Sequence, residues 1–164
     1  MDKVYVEATY KSLNKLNEEL CGDRVEIVKN DDSYFVVLSD GLGSGVKANI
    51  LSTLTSKIIS TMMFQGASIE DTVETVVHTL PVCSVRKVAY STFMILQISY
   101  DGNAYLVEFD SPGCIFVRDG RLMNIEYNYR SIAGKEIKEA HFKVKPNDFM
   151  MLLSDGVVYA GIGE

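Results

Sequence analysis

Long apolar runs are missing from this chain of 164 residues. None approaches the roughly 20 residues that a membrane-crossing helix needs, so no membrane span is expected. The N-terminus, Met1-Asp2-Lys3-Val4, has no basic stretch leading into an apolar one, and no secretory signal is read there. The expected location is cytoplasmic. Cysteines are few: Cys21, Cys83 and Cys114. Their odd number and wide spacing fit neither a disulfide framework nor a Cys-x-x-Cys zinc pattern. Buried free thiols in a reducing compartment are the expectation. The two histidines, His78 and His141, fall in no motif and are read as structural. With no Ser-His-Asp or Cys-His constellation, no protein nucleophile is indicated. No run of basic residues occurs and the net charge is −6, which argues against nucleic acid as a partner. Low-complexity tracts and Pro/Gly/Ser linkers are absent too. One domain over residues 1–164, large enough to bury a core, is expected.

What is present is a repeated signal. Tyr34–Leu38 is an apolar run ending in Ser39-Asp40-Gly41; Phe149–Leu153 is another, ending in Ser154-Asp155-Gly156. Short apolar runs closed by turn residues predict strands buried on both faces. Each would bring one carboxylate to its end, where Gly allows a turn. Carboxylates gathered at a sheet edge repel unless a cation lies between them, and a hard divalent ion suits oxygen ligands. Asp-Gly is also ordinary turn chemistry; that explains Asp101 and Asp119 in their polar hairpins better than it explains Asp40 and Asp155.

Strands are predicted over Val4–Lys11 and Arg24–Lys29, then a helix from Val46 to about Phe64. Its expected apolar face is Ile50, Leu51, Leu54, Ile58, Ile59 and Met62, with Asn49, Ser52, Ser56 and Ser60 opposite. A second helix opens at Ser68, paired with Asp71 in a capping-box-like spacing. It carries Ile69, Val73, Val76, Val77 and Leu80 at helical intervals and leaves at Pro81. Tyr90–Tyr100 and Ala104–Phe109 form a hairpin about Asp101-Gly102-Asn103. Cys114–Arg118 and Leu122–Ile125 form another about Asp119-Gly120. Glu136–Lys143 and Phe149–Leu153 follow. Many hairpin strands with two adjacent helices predict an α+β fold with a mostly antiparallel sheet system.

Gly41-Leu42-Gly43-Ser44-Gly45 joins strand to helix, but nucleotide-binding patterns fail by register. The dinucleotide fingerprint needs Gly at 46, where Val stands; the Walker pattern needs Lys directly after Gly45. The histidine-kinase ATPase box needs Gly at 42 and 44. A flexible loop before a helix N-terminus, suited to an ion or anion, remains. Lys47 in the first helical turn is a candidate phosphate contact, with a solvated surface lysine as the plain alternative.

Leu20-Cys21-Gly22-Asp23, Val37–Gly45, Tyr90-Ser91-Thr92 and Leu153–Gly156 occur in an order that resembles the metal-dependent protein Ser/Thr phosphatases. These are the protein phosphatase 2C-like (PPM) family, here its bacterial branch typified by the stage II sporulation protein E phosphatase domain. The resemblance implies a β-sandwich flanked by helices in α-β-β-α layers, with two Mn²⁺ or Mg²⁺ ions. It implies Asp23, Asp40, the Gly41 carbonyl and Asp155 as metal ligands, and hydrolysis of phosphoserine or phosphothreonine by a metal-activated water. The implied partner is a phosphorylated regulatory protein such as an anti-sigma factor antagonist. Two departures stand out. The family's Pro before its last strands is replaced within Arg130-Ser131-Ile132-Ala133-Gly134. Its further Asp, beyond the second Ser-Asp-Gly, has no counterpart before Glu164. The chain is therefore expected to be the N-terminal part of a longer protein, truncated at the C-terminus. A phosphatase-like module that binds a partner without turnover is the alternative.

Overall fold

The computed structural model describes residues 3–43, 45–79 and 91–160. The expectations for Ser44, Leu80, Pro81, Cys83 and Tyr90 lie outside the described residues. The element order is β1 (Asp23–Lys29), β2 (Ser33–Gly41), α1 (Gly45–Phe64), α2 (Ile69–Thr79), β3 (Ser91–Ser99) and β4 (Asn103–Phe109). Then come β5 (Cys114–Arg118), β6 (Arg121–Leu122), β7 (Asn128–Ile132), β8 (Lys135–Lys143), β9 (Phe149–Leu152) and a single turn, α3 (Asp155–Val158). A six-stranded sheet runs β1-β2-β3-β4-β8-β7 and a three-stranded sheet runs β6-β5-β9. Among the described residues every strand pairing is antiparallel. The fold is α+β, a mostly antiparallel sandwich flanked by helices, as expected.

Two cores separate the layers. Phe35, Val37, Phe93, Ile95 and Val107 of the large sheet meet Ile59 and Met63 of α1 and Val73, Val76 and Val77 of α2. On the sheet's other face Leu38, Met94, Leu96 and Leu106 pack toward Cys114, Met150 and Leu152 of the small sheet. Both faces of β2 and β3 are thus covered, which is why their sequences are near-continuous apolar runs instead of alternating ones.

The second Ser-Asp-Gly strand departs from its expectation. β9 is an edge strand of the small sheet. Met150 and Leu152 face the core, but Phe149 and Met151 are 53% and 40% exposed. An apolar run signals burial on both faces, yet only one side of β9 has a sheet against it.

Helix α1 keeps only part of its predicted apolar face: Ile59 is buried and Ile58 packs on the core, but the first half of that face turns outward. Ile50 and Leu54 are 58% and 51% exposed, while Ser52, Thr55, Ser56 and Ser60 are buried. Each buried hydroxyl donates to a carbonyl of its own helix: Ser52 to Asn49, Thr55 to Leu51, Ser56 to Thr53 and Ser60 to Lys57. Satisfied this way they cost little, and their small size brings the helix close to β1 and β2. Packing distance therefore outweighs hydropathy here. Ser56→Leu should cost about 2 kcal/mol through overpacking, whereas Leu54→Ser should stay within about 0.5 kcal/mol. Urea denaturation of both variants checks this; a larger loss at Leu54 would reject the buried serine face.

Val4–Lys11 forms no strand. Val4 N–H donates to Tyr100 O at 2.8 Å and Val4 and Val6 rest on the inter-sheet core, but one backbone bond makes no ladder. β6 is shorter than the Leu122–Ile125 strand expected. β7 was not expected at all: its turn into β8 uses Ala133 and Gly134, both at positive φ. The left-handed conformation at Ala133 has no Asn or Asp to announce it.

Candidate metal centre

The hairpin register of β1 and β2 sets Asp23 directly opposite Asp40. Like charges facing across a ladder destabilise it, so local pairing alone does not account for the arrangement. Asp155 arrives from the far end of the chain at the start of α3, after β9. The Asp40 carboxyl lies within hydrogen-bonding reach of both Asp155 and Asp23. Burial first, then the contact with Asp155 and the charge of Asp23, push it from its ordinary 3.8 up to about 8. The structure thus gathers three acids drawn from sequence positions more than a hundred residues apart.

Several bonds hold them. Ser154 Oγ donates to Asp23 Oδ2 at 2.7 Å, tying the second Ser-Asp-Gly to β1. Asp23 N–H donates to Cys21 Sγ at 3.4 Å, and Asn49 of α1 donates to the Cys21 carbonyl at 2.8 Å. Gly41 N–H donates to Gly22 O at 2.9 Å. Ser39 shares a 2.8 Å hydrogen bond with Ser91 in the core, beside Thr92, which stands opposite Asp40 in the β2–β3 register.

The two serines of the repeated tripeptide were passed over in the sequence, although the repetition itself marked them. Ser154 is 6% exposed and links elements that share no strand pairing. Ser154→Ala should cost about 1–2 kcal/mol, since it leaves a part-buried carboxylate oxygen without its donor. A fall in the urea midpoint of that size checks it, and an unchanged midpoint would make the bond incidental.

Gly41 follows Asp40 directly and is buried, so its carbonyl is at the same strand end. Lys47 stands in the first turn of α1 on the exposed side. His78 lies in α2 within 3.9 Å of Glu74, and His141 stacks on Tyr105 with centroids 4.0 Å apart; neither joins the acids. Cys21 and Cys114 are free thiols.

Among the described residues no group of three or more His, Cys, Asp or Glu side chains is set out as a ready cation cage. The donors nevertheless fit a hard divalent ion. Three oxygen acids lie together, and burial first, then its acidic neighbours, push one of them, Asp40, up to about 8. A cation is the charge-balancing alternative to a proton there.

Residues 30–162 match a family model, that of stage II sporulation protein E (SpoIIE). The chain belongs to the SpoIIE family. Asp40, Gly41, Lys47 and Asp155 of this SpoIIE-family chain fall inside the matched stretch; Asp23 precedes it. No curated protein matches it. Among solved structures it is similar to the PP2C phosphatase domain of the cell fate determinant SpoIIE from Bacillus subtilis, solved with a regulatory fragment. Identity there is 21%, over 83% of this chain and 42% of that one, with a TM-score of 0.72. It is similar to the RsbU and RsbW domains of a Mycobacterium tuberculosis protein at 15% identity, over 87% of this chain and 42% of that one, TM-score 0.72. RsbX in complex with magnesium matches at 20% identity, over 88% of this chain and 71% of that one, TM-score 0.67. At these identities the likeness establishes the fold, that of PP2C phosphatase domains. The SpoIIE-family chain spans 42% of the length of the first two. No helix among its described residues is long and apolar enough to cross a membrane.

Proposed function

We propose that the chain is a metal-dependent protein phosphatase domain acting on phosphoserine or phosphothreonine of a regulatory protein in the cytoplasm. The observation that carries this reading is the convergence of Asp23, Asp40 and Asp155 within a SpoIIE-family fold. Asp23, Asp40, Asp155 and the Gly41 carbonyl would hold Mn²⁺ or Mg²⁺; magnesium is the ion named for the RsbX structure. When bound, such ions polarise phosphoryl oxygens and activate a water for in-line attack.

The chain's own residues do the positioning. Asp40, opposite Asp23 on a rigid hairpin, sets the spacing of the acids. Ser154 holds Asp23 through the 2.7 Å bond and so keeps Asp155, its chain neighbour, beside them. The loop before α1 and Lys47 offer N–H groups and a positive charge to the phosphoryl group. The expected substrate is a phosphorylated partner protein such as an anti-sigma factor antagonist.

A second reading, a partner-binding module without turnover, draws on the exposed Val46, Ile50 and Leu54 of α1. Titration of Mn²⁺ into the chain, followed by a phosphopeptide hydrolysis assay with Mn²⁺, separates the two. Metal binding with Mn²⁺-dependent phosphate release supports the enzyme. Metal binding without release supports the module, and no metal binding rejects the metal reading.

A further inference from the structure

The end of strand β4 buries a further acid, two strands across from Asp40 and two residues out of step with it. Glu108 is 1% exposed and faces the gap between the two sheets. Its Oε1 accepts the Tyr127 hydroxyl at 2.7 Å, while its Oε2 is buried with no partner. Such an atom is expensive, because a desolvated carboxylate oxygen has lost water and gained nothing. Ser111 Oγ, three residues on, is also buried and unpartnered.

Glu108 borders a cavity of about 510 Å³ shared with Cys114, Tyr127, Lys138, Leu153 and Val158. Lys138 stands opposite Glu108 in the β4–β8 register, but its ammonium lies over the Tyr127 ring, 5.5 Å from the centroid. It lowers the cost of the buried charge without bonding Oε2. Burial nonetheless raises the Glu108 carboxyl above its ordinary range. Burial also pushes the Cys114 thiol up to about 12, so in this setting it stays protonated at neutral pH and adds no charge to the cavity. Lys138 is thus the positive group on the cavity wall, but it does not bond Oε2, which is left open to a further donor, and the other walls carry no charge.

We infer that this cavity binds a small amphipathic cation, a primary alkylammonium or alkylguanidinium, with its charged head on Glu108 Oε2. Leu153 and Val158 lie on either side of Asp155, so an occupant bears on the segment that carries the third acid. This link to Asp155 rests on the metal reading; the binding itself does not.

Amide NMR titration of the full chain at neutral pH, with n-butylamine, n-butylguanidine and n-butanol at matched ionic strength, tests the binding. The two cations should bind at about 1–10 mM, as small fragments do, with shifts confined to the cavity walls, and butanol at least about tenfold more weakly. Glu108→Gln should weaken the cations about tenfold, and Lys138→Met should tighten them by removing a competing charge. Equal binding of butanol and butylamine, no binding, or indifference to Glu108→Gln would overturn the inference. Were Glu108→Gln unfolded, Lys138→Met decides alone: tighter binding supports the site and unchanged or weaker binding rejects it. For the link, butylamine should shift the Mn²⁺ affinity of the unaltered chain several-fold; Mn²⁺ binding that ignores the amine would sever the cavity from Asp155.

Discussion

Asp40→Asn should make the metal-free protein more stable above neutrality and at the same time deaf to Mn²⁺. The carboxyl is held at about 8 in the folded state against 3.8 ordinarily. The folded protein therefore keeps a proton that the unfolded chain has released between those values. The contribution of this group is full below about pH 4 and is lost as pH rises toward 8. Asp40 is only half-buried, so screening reduces the loss to on the order of 1–2 kcal/mol. That is a fall in Tm of about 2–8 °C for a domain of this size. Asn carries no charge and can keep the hydrogen bonds, so its pH slope should be flat. A divalent ion supplies the missing positive charge, so Mn²⁺ should restore the unaltered protein at pH 8 and EDTA should reverse it. Thermal melts at pH 5, 6.5 and 8, with and without Mn²⁺, read all of this. Equal pH slopes in the two proteins, or equal stabilisation by Mn²⁺, would show that Asp40 is not where the charge conflict and the cation meet.

The largest loss of stability is expected from Gly41→Ala. A methyl group built at Gly41 would sit 2.0 Å from the Ala48 carbonyl oxygen and 2.6 Å from its carbon. These are backbone atoms of α1 and have no rotamer by which to move. Either α1 lifts from β2, opening the contact made by its buried serine face, or the end of β2 bends away from Asp23. Both routes cost about 3–5 kcal/mol, a large part of the 5–15 kcal/mol typical of a whole domain. Gly43→Ala is the internal comparison. Gly43 has φ +93 but open space around it, so its cost is the strained backbone alone, about 1–2 kcal/mol. Circular dichroism with urea titration of the pair decides the matter. Were Gly41→Ala as stable as Gly43→Ala, the close approach of α1 would not be what requires glycine at 41.

The acid site was legible because its parts are local in pattern. Two identical tripeptides and a glycine-rich loop stand out in one dimension. Their reasons were less legible. Gly41 reads as a turn residue, yet its φ is not left-handed and its role is to admit a helix backbone. Ser154 reads as part of a motif, yet it donates to an acid 131 residues away. Gly22, Cys21 and Asn49 hold the same corner through bonds that no spacing announces.

Helices α1 and α2, most strands and their antiparallel hairpins were legible in the sequence, because turn chemistry and apolar periodicity act over a few residues; β7 was not, and Asp23 stood out only through the family resemblance. Which face of α1 is buried was decided only in three dimensions. Hydropathy favours the Ile50 and Leu54 side, but the gap beside Gly22 and Gly41 accepts only small side chains, and close packing of Ala48 and Ser52 outweighs the exposure of two aliphatic residues. The same holds for β9, whose apolar run found a sheet on one side only, and for Glu108, whose missing partner exists only where two sheets enclose it. Local pattern specifies elements; distance between packed backbones specifies which atoms those elements bring together.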